Sequence, residues 1–326
     1  MDFVPFRHPN NTLVPGRFRI DLCIENAFIP MRSIRQRFSA RATDPRVADE
    51  FEAPLHPNPI DRGIVQVVLQ SSGIDHIGGG RFGLNIVCGW YQKEFDMLGV
   101  DLGEHERRYD LGQEWIDLVT RIWMEDEPFD FEGEFFQTQG TVLNPKPVSN
   151  LRPMVACAGT SGRGREYAVR NADMLFHTFY DYDKFRDDCA GLRKAGRAIG
   201  RDVGLFTNIG VVCRPTQKEA EEYHHYYAVE HADTEACRIM MVERGIDTDE
   251  ISEEERRHFR MRAATANGAT PVVGDPDSVA DQLAKLAEAG ADAVAMGLPN
   301  YLNDLPIVID EVLPRLEARG LRQSAG

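Results

Sequence analysis

From 82 to 318 the sequence alternates between short apolar runs and segments of helical periodicity, and that order restricts what the chain can fold into. Strand, helix, strand in regular succession predicts a parallel sheet covered by helices, because parallel neighbours need a crossover between them. Phe82–Cys88 (FGLNIVC) is an apolar run with a β-branched end, suited to a strand buried on both faces. A helix follows, with Leu111, Trp115, Leu118, Val119, Ile122 and Trp123 on one stripe. Met154–Cys157, Asp173–Phe176 and Leu205–Cys213 read as further strands, with helices opening at Ser161–Gly164 and spanning Tyr182–Gly200. Thr216 and Glu219 form a capping box that starts the next helix at a defined place.

The last unit is the clearest. Asp275 is a candidate N-cap, Pro276 fits the first turn, and Val279, Leu283 and Leu286 recur at helical spacing. Gly290 stands where a helix end needs positive φ, Ala291–Met296 is the next strand, and Leu305–Leu316 a closing helix. Two segments interrupt the alternation. Phe129–Thr141 (FDFEGEFFQTQGT) alternates like a hairpin, and Asp247–Thr270 is charged and loop-like, a lid candidate.

Residues 1–71 have a different texture. They hold nine arginines, no lysine and eight of the 18 prolines, and carry a net charge of +1 against −16 for the remainder. Helical or alternating periodicity is weak there; Ile64–Leu69 is the best strand candidate, and the prolines at 54, 57 and 59 make the stretch before it an extended linker. We therefore expect an atypical segment over 1–71, poorly ordered or divergent, ahead of a domain over 72–326.

The formal charge of −15 argues against nucleic acid and against an anionic membrane surface, since both require clustered Lys and Arg. Cys23, Cys88, Cys157, Cys189, Cys213 and Cys237 are scattered without a CxxC, which reads as reduced thiols in a cytoplasmic protein. The start, MDFVPFRHPNN, has no apolar core of a signal peptide, and no run approaches bilayer length.

The segment VACAGTSGRG (155–164) carries the most chemistry. Gly159 and Gly162 allow close backbone approach, Thr160 and Ser161 offer hydroxyls, a helix N-terminus supplies oriented N–H groups, and Arg163 adds charge. Together these suit a phosphate; the same residues also read as a tight turn with an ordinary Ser cap. Asn85 interrupts an apolar strand, so its amide needs a partner, either a ligand edge or another backbone. Arg108 and Tyr109 open the following helix, suited to a phosphate or a ring, or to a solvated first turn. His177 follows a strand and is the candidate catalytic imidazole, though a packing role fits a lone histidine equally. His224, His225 and His231 lie on an acidic helix without metal-ligand spacing, so no metal is expected.

At these residues the chain resembles the luciferase-like flavin monooxygenases, in the branch that contains pyrimidine, dimethyl sulfone and alkanesulfonate monooxygenases. The matching text is DHIGGGRFGLNIVCGW (75–90), EFDMLG (94–99), the helix over 106–123, FEGEFF (131–136), NPKP (144–147) and CAGTSGRG (157–164). GRDVG (200–204), CRPTQKEAEEYH (213–224) and VGDPDSVADQL (273–283) continue it, so that the likeness covers roughly 72–318. The resemblance implies a (β/α)8 TIM-type barrel whose first three βα units are incomplete or divergent here. It also implies reduced FMN as cofactor, with Asn85, Glu94, Arg108, Tyr109 and Ser161 in contact with it. Molecular oxygen, a small organic substrate, a separate flavin reductase and a homo-oligomeric state come with the same expectation. The Arg-only, Pro-rich start is what a shifted reading frame or misplaced start would produce. A barrel lacking three units would expose strand edges, which makes a non-catalytic remnant one alternative. An oxidoreductase using a deazaflavin in the same barrel is the other.

Overall fold

The computed structural model describes residues 59–323 apart from 90, 100, 102, 149–150, 160 and 247–250; inside its helices, the side chains at 59–63, 65–66, 94 and 98 are also outside the description. In chain order the first elements are α1 (Pro59–Gly78), β1 (Gly83–Ile86), α2 (Gln92–Leu98), α3 (His105–Met124), β2 (Phe129–Glu132) and β3 (Gln137–Thr141). Then come β4 (Met154–Ala158), α4 (Gly162–Asn171), β5 (Met174–Phe176), α5 (Tyr182–Ala198), β6 (Gly204–Cys213) and α6 (Gln217–His225). A π turn at Tyr226–Glu230 leads to α7 (Thr234–Glu243), α8 (Glu253–Ala266), β7 (Thr270–Gly274), α9 (Pro276–Glu288) and β8 (Ala293–Gly297). The chain closes with α10 (Tyr301–Ile307), a second π turn and α11 (Leu313–Ala318). These elements fall into two compact units, one built from 83–109 and 154–323, the other from 59–82 and 110–153.

The larger unit holds one sheet in which every pairing is parallel, in the order β1-β4-β5-β6-β7 with β8 also on β6. The ten-residue β6 serves three partners by register: β5 at Gly204–Phe206, β8 at Phe206–Gly210 and β7 at Ile209–Cys213. Alternation along the strands separates two faces. Val155, Cys157, Leu175, Leu205, Ile209, Val211, Val294 and Met296 are at most 2% exposed. They form one core with Tyr167 and Ala168 of α4, Phe185 and Cys189 of α5, and Val279, Leu283 and Leu286 of α9. The intervening residues are mostly small or polar, with Phe176 and Phe206 the aromatic members, and Gly83, Asn85, Ala156, Ala158, Phe176, Phe206, Asn208 and Gly297 are half-exposed or exposed. On this second face Phe176 and Phe206 meet edge to face, centroids 5.4 Å apart. The end of α8 lies over the same face: a Cβ on Gly210 would sit 2.7 Å from Cγ2 of Thr265, and one on Gly297 3.1 Å from Cβ of Ala266.

In the smaller unit the hairpin expected over 129–141 is present as β2 and β3, and a carboxylate holds its turn. Glu114 accepts the backbone N–H groups of Glu134, Phe135 and Phe136 at 2.5–2.9 Å. Buried Asp75 accepts those of Phe82 and Val148 at 3.2 and 2.9 Å.

The regular caps appear as expected. Thr216 and Glu219 make both halves of a capping box, Asp275 caps α9, and Gly290 has φ of 108°. Four expectations are corrected. Ile64–Leu69 is helical, inside α1, because the face that Ile64 and Val68 begin continues through buried Ser71, Ser72 and Asp75 instead of apolar residues. The charged stretch over 247–270 is no loop where described: it contains α8, opened by a Ser252–Glu255 capping box, and reaches β7. Its period is invisible to an apolar count because two of its buried residues are Arg262 and Thr265. The closing helix is interrupted by a π turn at Val308–Val312, and on α3 Leu111 is 38% exposed, off the buried stripe.

Candidate functional site

Three chain segments meet beyond the C-terminal ends of β1 and β4. After β4 the chain turns at Gly159 and enters α4, with Ser161 as N-cap; its Oγ accepts the N–H of Gly164 at 3.0 Å. Gly159 and Gly164 are glycines for a packing reason. A Cβ on Gly159 would lie 2.1 Å from the carbonyl oxygen of Gly164, and one on Gly164 2.7 Å from the hydroxyl of Tyr109. Gly162 differs, since a Cβ there meets nothing within 4 Å, leaving open space at the first turn of α4.

The opening of α3 supplies Arg108 and Tyr109. The Tyr109 ring sits 5.6 Å from that of Tyr167 on α4 and 5.1 Å from that of His105. Cys88, just past β1, bonds to Tyr167 and lies near Arg108; burial pushes its thiol up to about 11, so it stays protonated and is no nucleophile. Arg108 is half-buried, and its Nε is shielded from solvent without a hydrogen-bond acceptor. A guanidinium nitrogen without an acceptor among the described residues, on the neighbour of Tyr109 whose hydroxyl reaches the first turn of α4, together with the space ahead of Gly162, fits an anion of phosphate size. Arg163 is committed elsewhere: Glu106 and Glu166 stand 3.5 and 3.7 Å from it. Thr160 and the side chain of Glu94 lie outside the described residues, although Glu94 itself belongs to α2.

Asn85 occupies the accessible sheet face and is exposed, not enclosed by apolar neighbours as its strand implied. Asn208 on β6 presents a second amide on that face, also half-exposed. The sequence reading passed over it, although a polar residue inside FTNIGVVC is the same signal that singled out Asn85. His177 is not joined to these groups by any described contact. It is 6% exposed, its Nε2 lies 3.0 Å from Asp188 of α5, its ring stacks on Phe185, and its backbone N–H donates to Phe206.

Burial holds the His177 imidazole below its ordinary value, with Asp188 opposing the shift, and burial likewise lowers His224. An imidazole that is neutral when folded gains a proton on unfolding, so the unfolded chain binds more protons. Its stabilising share is complete above the unfolded value of about 6.5 and is lost as the pH falls through the folded value. The thermal midpoint is therefore expected to drop between about pH 7 and about pH 5, and to drop less in His177→Gln, which keeps a partner for Asp188 without titrating. Equal slopes for the two proteins would show that His177 does not carry the effect.

The sequence model of the luciferase-like monooxygenases matches residues 66–293. Pyrimidine monooxygenase RutA of Enterobacter sp. strain 638 is 28% identical over 261 residues, which is 78% of this chain and 70% of that protein. Among solved structures, DmoA from Hyphomicrobium sulfonivorans superposes with a TM-score of 0.72 at 20% identity, over 80% of this chain and 66% of that one. Riboflavin lyase RcaE, solved with a modified FMN and riboflavin, gives 0.70 at 22% identity, over 80% and 69%. The parallel sheet and its helices are thus an α/β fold of luciferase-like barrel type. Among the described residues no helix is long and apolar enough to cross a membrane.

Proposed function

The chain belongs to the luciferase-like monooxygenase family, and from that premise we propose that it uses reduced FMN and molecular oxygen to oxygenate a small organic substrate. The observation that carries the cofactor reading is the Nε of Arg108, without a partner among the described residues, at the opening of α3 where the Tyr109 hydroxyl reaches the first turn of α4. A phosphate placed there gains the Arg108 charge, the first-turn amides of α4 and two hydroxyls. Ser161 accepts from Gly164 through a lone pair, so its own O–H is free to donate outward, and Tyr109 donates from the facing helix. Gly162 admits the phosphate to the backbone, while Gly159 keeps strand and helix close enough to form the pocket. Asn85 and Asn208 offer paired donors and acceptors to a ring edge over the accessible face, and Glu94 belongs to the same contact set.

When bound, reduced FMN supplies the electron pair that activates oxygen; the protein orients the reactants and keeps water out. On this reading His177 is a positioning residue, tying the end of β5 to α5 and β6, and not a group that touches the substrate. A separate reductase as the source of reduced flavin, a homo-oligomeric assembly and a cytoplasmic location complete the proposal.

Anaerobic titration with reduced FMN, followed by an oxygen pulse, tests it. Saturable quenching of the flavin and oxygen-dependent formation of oxidised flavin are expected. Folded protein that binds neither oxidation state of FMN would mark a remnant, and preference for a deazaflavin would replace oxygenation with hydride transfer.

A further inference from the structure

Away from the phosphate cluster, a cleft open to solvent lies between α7, α8 and the segment after β5. Two arginines line it, with Tyr180, Met240, Met241 and Phe259 among the walls. Arg262 is 2% exposed; Nε and Nη2 donate to the carbonyls of Gly268 and Phe179, while Nη1 has no partner among the described residues. The Tyr180 ring covers its guanidinium at 4.1 Å. Arg244 is exposed beside it, and among the described residues its side chain bonds to Asn267 at 3.2 Å.

Neither arginine has a carboxylate partner among the described residues, in a chain of net charge −15. Arg193, Arg201 and Arg214, also partly or largely buried, each have an aspartate within 3.5 Å. Among the described acids nearby in sequence, Glu243 pairs with Lys93, Glu253 with Arg256 and Arg260, and Glu255 with Ser252. Burial, and secondarily the charge of Arg244, holds Arg262 below its ordinary value. Two cations facing one cleft without a counter-charge among the described residues are a cost to the fold that an entering anion relieves.

We infer that this cleft binds a small organic anion, its acid group against Arg262 and Arg244 and its apolar part on Met240, Met241 and Phe259. The position ties the cleft to the reaction, because the end of α8 lies over the sheet face that carries Asn208, against Gly210 and Gly297. The substrate of the oxygenase is then a carboxylate or sulfonate; that assignment rests on the proposed function, whereas anion binding does not.

Calorimetric titration of the full chain with benzoate, and with benzamide as a neutral analogue of the same shape, tests the site. Benzoate is expected to bind at one site, more weakly with added salt, and benzamide to bind at least about tenfold more weakly, the scale of a charge-assisted hydrogen bond. Arg244→Gln loses a similar factor. Because Arg262 holds two backbone carbonyls, Arg262→Lys is paired with it and its thermal midpoint measured; a folded Arg262→Lys protein is expected to bind benzoate more weakly than wild type. Equal affinity for benzoate and benzamide, or benzoate binding untouched by Arg244→Gln, overturns the inference. Reduced FMN titrated into the same preparation separates the two claims: benzoate binding without flavin binding leaves the anion site standing and removes the oxygenase.

Discussion

Arg108→Gln is expected to weaken reduced FMN binding about 30-fold, corresponding to a lost charge-assisted hydrogen bond of about 2 kcal/mol, while the thermal midpoint holds or rises. The two halves of this prediction have one cause. The Arg108 Nε is desolvated without an acceptor, so the folded protein without ligand carries a cost that no internal bond offsets. Removing the guanidinium removes that cost along with the phosphate contact. Arg193→Gln is the contrast, because Arg193 donates to the carbonyl of Gly290 at 2.8 Å and to Asp292 at 2.7 Å. That change should lower the midpoint and leave flavin affinity alone. Flavin fluorescence and calorimetry on both variants decide the matter. If Arg108→Gln destabilises the protein as much as Arg193→Gln does, Arg108 is structural and the phosphate assignment loses its main support.

The parallel sheet was legible because its helix-covered strand positions are apolar apart from Thr207, and because Thr216, Asp275 and Gly290 mark helix ends through local chemistry that needs no tertiary context. Where the sequence misled, a polar residue had taken a core position. Arg262 and Thr265 on α8, and Ser71 and Asp75 on α1, are buried and bond to partners far along the chain or in their own helix, while Ser72 is buried without a partner among the described residues. A count of apolar periodicity cannot see them. The phosphate turn was visible as composition, but its glycines were not distinguishable: Gly159 and Gly164 serve packing, and only Gly162 faces open space. His177 stood at a strand end, which is where barrel chemistry sits, yet the direction of its side chain depends on Asp188 and Phe185, residues no spacing rule connects to it.

That distinction among glycines yields the largest effect. Gly159→Ala is expected to cost about 3 kcal/mol or more and to abolish flavin binding, because the new Cβ would lie 2.1 Å from the oxygen and 2.3 Å from the carbon of the Gly164 carbonyl. Both atoms are backbone at the first turn of α4, so relief requires moving the helix away from β4. Such a shift opens the contact between Gly164 and Tyr109 and moves Ser161 with the helix. Gly162→Ala should behave in the opposite way. Its Cβ meets no protein atom and the position is exposed, so alanine should leave stability unchanged or raise it by up to about 1 kcal/mol. If a phosphate approaches the backbone there, the same methyl group obstructs it, and flavin affinity falls without loss of fold. Urea denaturation and reduced-flavin titration of both variants separate a glycine needed by the fold from one needed by the ligand. A Gly159→Ala protein with a wild-type midpoint would refute the turn geometry, and a Gly162→Ala protein with wild-type affinity would move the phosphate away from α4.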